Sequence, residues 1–222
     1  MSDKKKSNVL LKGTTPAGIA IYPWLGKPDT KFNKDGEYRI KLKLEGEAAA
    51  TFKAKLEELH GTAVAKMEKE VTEALPPAKR KAFKMKIVDA PFKPVFDDEG
   101  NETDAIEVTF KQKAKIKLKD GTKDIGPIAL FDAKGKPFKG AVYGGSKVKV
   151  AFEALPFYGA SIGAGVTLRL GAVQVLELVT GGQQSAAGYG FGEEEGFESG
   201  EDGEGDGEGD GEGGEEGDDE EF

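Results

Sequence analysis

The 222-residue chain has no cysteine and one histidine, His60. Disulfides, thiolate metal sites and a cysteine nucleophile are therefore excluded, and imidazole chemistry is confined to one position. No apolar run approaches the ~18 residues that a transmembrane helix requires, and the N-terminal Met1-Ser-Asp-Lys-Lys-Lys lacks an apolar signal region. A soluble intracellular protein is the expectation, consistent with a reducing compartment. The last thirty residues, 193–222, contain no Lys or Arg. They hold seventeen Asp or Glu and end on Phe222. The whole chain has 32 basic and 40 acidic residues, net −8, but residues 1–192 keep all 32 basics against the other 23 acids, net +9. A basic body with an acidic tail implies a polyanion-binding body and a tail that competes for the same surface.

What is present in the body is mostly β-patterned. Gly18 to Leu25 reads as a strand, followed by a polar turn carrying Lys27-Pro-Asp. In Glu37-Tyr-Arg-Ile-Lys-Leu-Lys-Leu, Tyr38, Ile40, Leu42 and Leu44 alternate with Arg39, Lys41 and Lys43, which predicts a half-buried strand with a cationic outer face. Residues 47–75 change to Ala, Glu, Lys and Leu at helical spacing, with a break or kink expected at Gly61 and a stop at Pro76-Pro77. Strand signals return at Met85 to Val88, then at Ile106 to Leu118, a run that includes Lys111, Lys113, Lys115 and Lys117. Further strands are expected at Ile125 to Phe131, Val148 to Leu155 and Val166 to Val179. About seven strands and one helix favour a small barrel with a helical insertion over a βαβ sheet. The expected organisation is a flexible basic arm over 1–12, one domain over 13–180 with the helical insertion about 47–75, a Gly-rich linker over 181–192 and a disordered acidic tail over 193–222.

Catalytic readings fail in turn. Gly144-Gly-Ser-Lys lacks the upstream Gly of a phosphate loop and precedes a strand, so it reads as a structural turn. Asp97-Asp-Glu-Gly-Asn lacks the alternating ligands of a calcium loop and reads as a solvated turn. His60 sits on the helix as a surface or boundary residue. No spacing supports a two-metal nuclease, and no cofactor is called for. The expectation is a protein that is not an enzyme.

Binding chemistry is better represented. One lysine-bearing strand is ordinarily a solvated face, but Arg39/Lys41/Lys43, Lys111 to Lys117 and Lys147/Lys149 repeat the pattern on three strands. That makes a plausible phosphate track. Tyr22, Trp24, Phe32, Phe157 and Tyr158 lie in or beside turns near basic residues, where an exposed ring can stack on a base. Trp24 and Tyr158, flanked by Pro or Gly, are expected to be exposed, and Phe110, Phe131 and Phe152 to be core. Phe222 gains nothing for solubility and reads as an anchor for a partner's pocket, with Asp218, Asp219, Glu220 and Glu221 pairing with a basic rim.

Along the body run Lys27-Pro-Asp with Phe32, Gly36-Glu-Tyr-Arg-Ile-Lys-Leu, Asp132-Ala-Lys-Gly-Lys, Gly144-Gly-Ser-Lys-Val-Lys-Val through Leu155-Pro-Phe, Gly163-Ala-Gly-Val-Thr-Leu-Arg-Leu and Val175-Leu-Glu-Leu-Val. In this order, and with the acidic tail ending in Phe, these blocks resemble the gene 2.5 protein family of T7-like bacteriophages. The resemblance covers most of the body but neither the helix nor residues 76–105. It implies a mainly β protein: an oligonucleotide/oligosaccharide-binding (OB) fold, a five-stranded Greek-key barrel with extra strands and one inserted helix. It also implies sequence-independent binding of single-stranded DNA in phage replication, recombination and repair, strand annealing, and the cytoplasm of an infected bacterium. The tail would contact DNA polymerase and helicase–primase; a homo-oligomer is left open and no membrane is involved. Phe157 matches a position where the family commonly has Tyr, and Ala151 stands where a basic residue is expected. Phe can stack but cannot hydrogen-bond a phosphate, so Tyr158 could share that role. The DNA-contacting set is then Trp24, Lys27, Arg39, Lys41, Lys111, Lys113, Lys147, Lys149, Phe157 and Tyr158. The competing readings are an acidic-tailed protein-interaction module and a broader duplex-DNA or RNA binder.

Overall fold

Alternating apolar residues bury one side of each long strand, and strands of that kind are stable only when the apolar sides face one another. A computed structural model describes residues 8–179 apart from 32, 119 and 120. In chain order the elements are β1 (Leu11–Thr14), β2 (Gly18–Asp29), β3 (Glu37–Leu44), α1 (Gly46–Ala74), α2 (Pro77–Arg80), β4 (Phe92–Phe96), β5 (Glu102–Lys113), β6 (Lys115–Leu118), β7 (Gly121–Asp124), β8 (Ala129–Phe131), β9 (Lys147–Gly159) and β10 (Gly163–Glu177). Strands β2, β3, β5, β10 and β9 pair in that order, and β9 pairs with β2 again. The ring is closed: a five-stranded OB barrel, antiparallel except where β5 meets β10 at Lys111 and Arg169. Strand β1 extends the sheet beside β9, β8 runs parallel to β10, and β4 pairs with β5.

Inside the ring, Ile40, Leu42, Val108, Phe110, Val148, Val150, Phe152 and Leu168 are buried. Phe152 links the barrel to the helix, meeting Phe110 at 5.4 Å and the edge of Phe52 at 5.9 Å between ring centroids. With Leu56, Phe52 seats α1 on β5, β9 and β10. Removing such a ring costs about 3–5 kcal/mol. The helix has no side-chain cap of its own at Glu45; Asp104 Oδ2, on β5, accepts from the Gly46 N–H at 3.1 Å instead. Among the described residues no helix is long and apolar enough to cross a membrane.

Several details differ from the sequence reading. α1 runs unbroken through Gly61, because Leu56 and Ala63 are buried on either side of it and hold the flanking turns. Leu11 and Lys12, expected in the flexible arm, belong to β1 and pair with Ala154 and Glu153. The strand expected from Ile125 starts only at Ala129, since Gly121–Asp124 pairs back on β6. Met85 to Val88 is not a strand but makes a bridge from Ile87 to Ala164, and His60 Nε2 ties α1 to it through the Val88 carbonyl at 2.8 Å. Asp97 closes the β4–β5 turn as expected; accepting the Asn101 N–H holds its carboxyl below the usual carboxylate range.

Candidate nucleic-acid interface

If the even residues of β3 and β5 fill the barrel, the odd ones must line its outside, and register decides which of them become neighbours. Trp24 on β2 lies opposite Arg39 on β3, and Arg39 opposite Lys111 on β5. Lys111 lies opposite Arg169 on β10, Arg169 opposite Glu153 on β9, and Glu153 opposite Lys12 on β1. Six strands thus contribute one residue each to a continuous belt: an aromatic ring, three cations, a carboxylate and a fourth cation. Lys41 sits beside it, opposite Ile21 and Thr109. An open groove of about 580 Å³, lined by Lys12, Gly13, Gln112, Glu153, Arg169 and Gly171, runs along the β1–β9–β10 part.

The belt cations are already engaged. Arg39 pairs with Asp29 at 2.7 Å, Lys41 with Glu107 at 2.8 Å and Lys111 with Glu37 at 3.2 Å. Glu153 takes both Lys12, at 2.6 Å, and Arg169, at 3.0 Å. The hydrogen bond from Lys12 and the nearby Arg169 guanidinium lower the Glu153 pKa, against the opposing effect of burial. Arg169 Nε is buried without a hydrogen-bond partner. An anion brought to these cations would therefore have to displace a carboxylate rather than fill an empty cationic slot.

The aromatic end is more open. β2 bulges between Ile21 and Trp24, and Tyr22 adopts φ +45°, a left-handed conformation uncommon for a bulky residue. The bulge leaves Tyr22 76% and Trp24 42% exposed. Trp24 and Tyr143, the latter 46% exposed, line one cleft of about 430 Å³ with Pro23, Gly26, Lys27 and Val142. A flat base fits such a surface.

Trp24, Lys27, Arg39, Lys41 and Lys111 are thus gathered on adjoining strands, with Lys113 exposed at the end of β5. Lys147 and Lys149 are not with Phe157 and Tyr158, although they are close in sequence. The pairs occupy opposite ends of one 13-residue strand, on the order of 30 Å apart. Lys147 pairs with Glu177 at 3.0 Å, and Lys149 lines a separate cleft with Thr14 and Gln174. Tyr158, expected to be exposed, is half-buried, as is Phe157. The 86–88 segment causes this: Lys86 and Val88 hydrogen-bond both sides of Ala164, the partner of Tyr158. At Gly165, opposite Phe157, an added Cβ would sit 2.4 Å from Val88 and 3.2 Å from the Phe157 ring. Phe32 and residues 218–222 lie outside the described residues.

Sequence reasoning missed Arg169, Lys12 and Tyr143. Arg169 carried the same signal as Arg39, a cation alternating with apolar residues in Thr-Leu-Arg-Leu. Tyr143 is hidden in a Gly-rich turn, and Lys12 was assigned to the arm.

Fold and surface together define a class: an OB barrel with a cationic outer belt and exposed rings at one end. The sequence profile of the family described as single-stranded DNA-binding protein, bacteriophage T7, matches residues 17–178. This chain belongs to that family. Among solved structures, gp2.5, a single-stranded DNA binding protein encoded by bacteriophage T7, is 29% identical, with a TM-score of 0.61 over 76% of this chain and 93% of that one. The single-stranded DNA-binding protein from bacteriophage Enc34 is 13% identical, with a TM-score of 0.47 over 78% and 87%. Its structure in complex with ssDNA gives 14%, 0.48, 75% and 86%. No curated protein sequence matches the chain.

Proposed function

We propose that this protein binds single-stranded DNA without sequence preference and serves phage DNA replication, recombination and repair in the cytoplasm of the infected host. The observation that carries the reading is the belt: Trp24, Arg39, Lys111 and Arg169 fall side by side on four consecutive strands of an OB barrel. Family membership supports the ligand class. Phosphates exchange for Asp29, Glu37 and Glu153 on the belt cations, while bases stack on Trp24 and on Tyr22 or Tyr143 at the open end. Lys27, Lys41 and Lys113 border this path. Lys147, Lys149, Phe157 and Tyr158 would be reached only by a strand wrapping round the barrel. The role is one of binding rather than catalysis.

The acidic residues 193–222 compete with DNA for the same cations. Phe222, with Asp218, Asp219, Glu220 and Glu221, recruits DNA polymerase and helicase–primase when DNA displaces the tail. A homo-oligomer is compatible with all of this.

Fluorescence titration of a labelled oligothymidylate, in competition with duplex DNA and with RNA, tests the core of the reading. Single-stranded DNA should win, and Trp24→Ala should weaken binding by roughly 1–3 kcal/mol in a folded variant. Equal competition by duplex would replace it with a broader nucleic-acid reading, and no binding at all would favour a protein-interaction module.

A further inference from the structure

The belt lysines come with carboxylates; a second set does not. β6 and β7 form a two-stranded sheet of their own, apart from the barrel. Lys115, Lys117 and all four residues of β7 are exposed. Among the described residues, Lys113, Lys115, Lys117 and Lys123 make no ion pair and donate no side-chain hydrogen bond, in contrast to Lys111 on Glu37. Asp124 lies opposite Lys115 in register yet does not pair with it.

An isolated two-stranded ribbon is marginal in water, so its root must fix it. That root is Ala114, which is buried; its N–H donates to the Gly36 carbonyl at 3.0 Å and its carbonyl accepts from Ile125 at 2.7 Å. Gly36 adopts φ +76°, and a Cβ there would sit 2.9 Å from Pro28. The ribbon therefore leaves the barrel at the β2–β3 turn, as a continuation of β5. Lys111 and Lys113 on β5, and Lys115 and Lys117 on β6, recur at every second residue, about 6.6 Å apart by strand rise within each strand, with the bend at Ala114 between the two pairs. This is close to the spacing of successive phosphates along an extended nucleotide strand. Like charges in a row repel unless an anion lies along them; Glu37 pairs with Lys111 alone, and none of this chain's described carboxylates pairs with Lys113, Lys115 or Lys117.

We infer that the β6–β7 ribbon is a second phosphate-binding element, which carries single-stranded DNA off the belt and onto Lys113, Lys115, Lys117 and Lys123. This rests on the single-strand reading of the barrel. Belt cations trade a carboxylate for a phosphate, whereas ribbon lysines release bound counterions, so the ribbon contributes strongly to the salt dependence of binding.

The test uses the full chain with Lys115, Lys117 and Lys123 all changed to Gln, and a second variant with all three changed to Arg. Affinity for labelled oligothymidylate is measured across a salt series. The Gln variant should lose about 2 units of slope in log K against log salt, at ~0.7 per lost phosphate contact. The Arg variant should keep the wild-type slope, and both should melt with the wild type. An unchanged slope in the Gln variant overturns the inference while leaving barrel binding intact. An equal loss in the Arg variant assigns the effect to shape and also overturns it. A change in self-association alone would make another copy's acidic tail the occupant, and overturns it as well. Failure of the wild type to bind would remove the barrel reading first.

Discussion

At the scale of single residues, the belt is a set of ion pairs, and the proposed function has phosphates exchange with their carboxylates. Glu153 holds two cations at once, and a solvent-accessible pair of this kind, though half-buried on the Glu153 side, is worth about 1 kcal/mol. Glu153→Gln should therefore tighten oligothymidylate binding by up to about fivefold, because Lys12 and Arg169 lose their internal competitor. The same change should cost a comparable amount of stability at neutral pH. Its sign with pH follows from the lowered pKa. The ionised carboxylate stabilises the fold above its unfolded pKa, and that contribution fades as pH falls through the lower folded value. Urea unfolding should thus separate wild type from Glu153→Gln at pH 7 and bring them together in acid, once pH has fallen through the lowered folded value. A gap that persists in acid would assign the stabilisation to packing instead. The cations themselves were legible, since Arg39, Lys41 and Lys111 alternate with apolar residues. Their partners were not: Glu37 reaches Lys111 only through the β3–β5 register, which no local pattern encodes.

At the scale of elements, period-2 strands and a period-3.6 helix were readable wherever one side alone is buried, as in β3 and α1. Elements held by long-range pairing were not: β1 needs β9, and the 86–88 segment needs Ala164. That segment also explains the half-burial of Phe157 and Tyr158, and for that reason the proposed stacking role falls to Trp24 and the rings near it. Gly61 supplies a direct check on the helix. It lies in an unbroken stretch, exposed, with nothing within 4 Å of the point where a Cβ would sit. Gly61→Ala should raise the unfolding free energy by ~0.5–1 kcal/mol, measured by urea denaturation, with DNA affinity unchanged. Destabilisation would mean that the helix does bend there.

At the scale of the whole molecule, charge is divided along the chain: +9 in residues 1–192 and −17 in residues 193–222. Deleting residues 193–222 should tighten DNA binding at low salt and steepen its fall with salt, whereas deleting Phe222 alone should leave both nearly intact and weaken capture of polymerase in a pull-down. Equal affinities for the full-length and truncated proteins would end the competition model. The charge division could be read without a structure; the ribbon's separation from the barrel could not, because the Lys-rich run looks continuous with β5. The closed ring also has a bearing on how the protein is made. β2 can pair with β3 at once, but its other edge finds a partner only at Val148 (from Gly18), and Leu11 of β1 only at Ala154, so β1 and one edge of β2 wait for nearly the whole body. Contacts that span so much chain slow the search for the native state, toward milliseconds to seconds. During that interval the early strands have unsatisfied edges, and a nascent copy is more exposed to aggregation than a finished one.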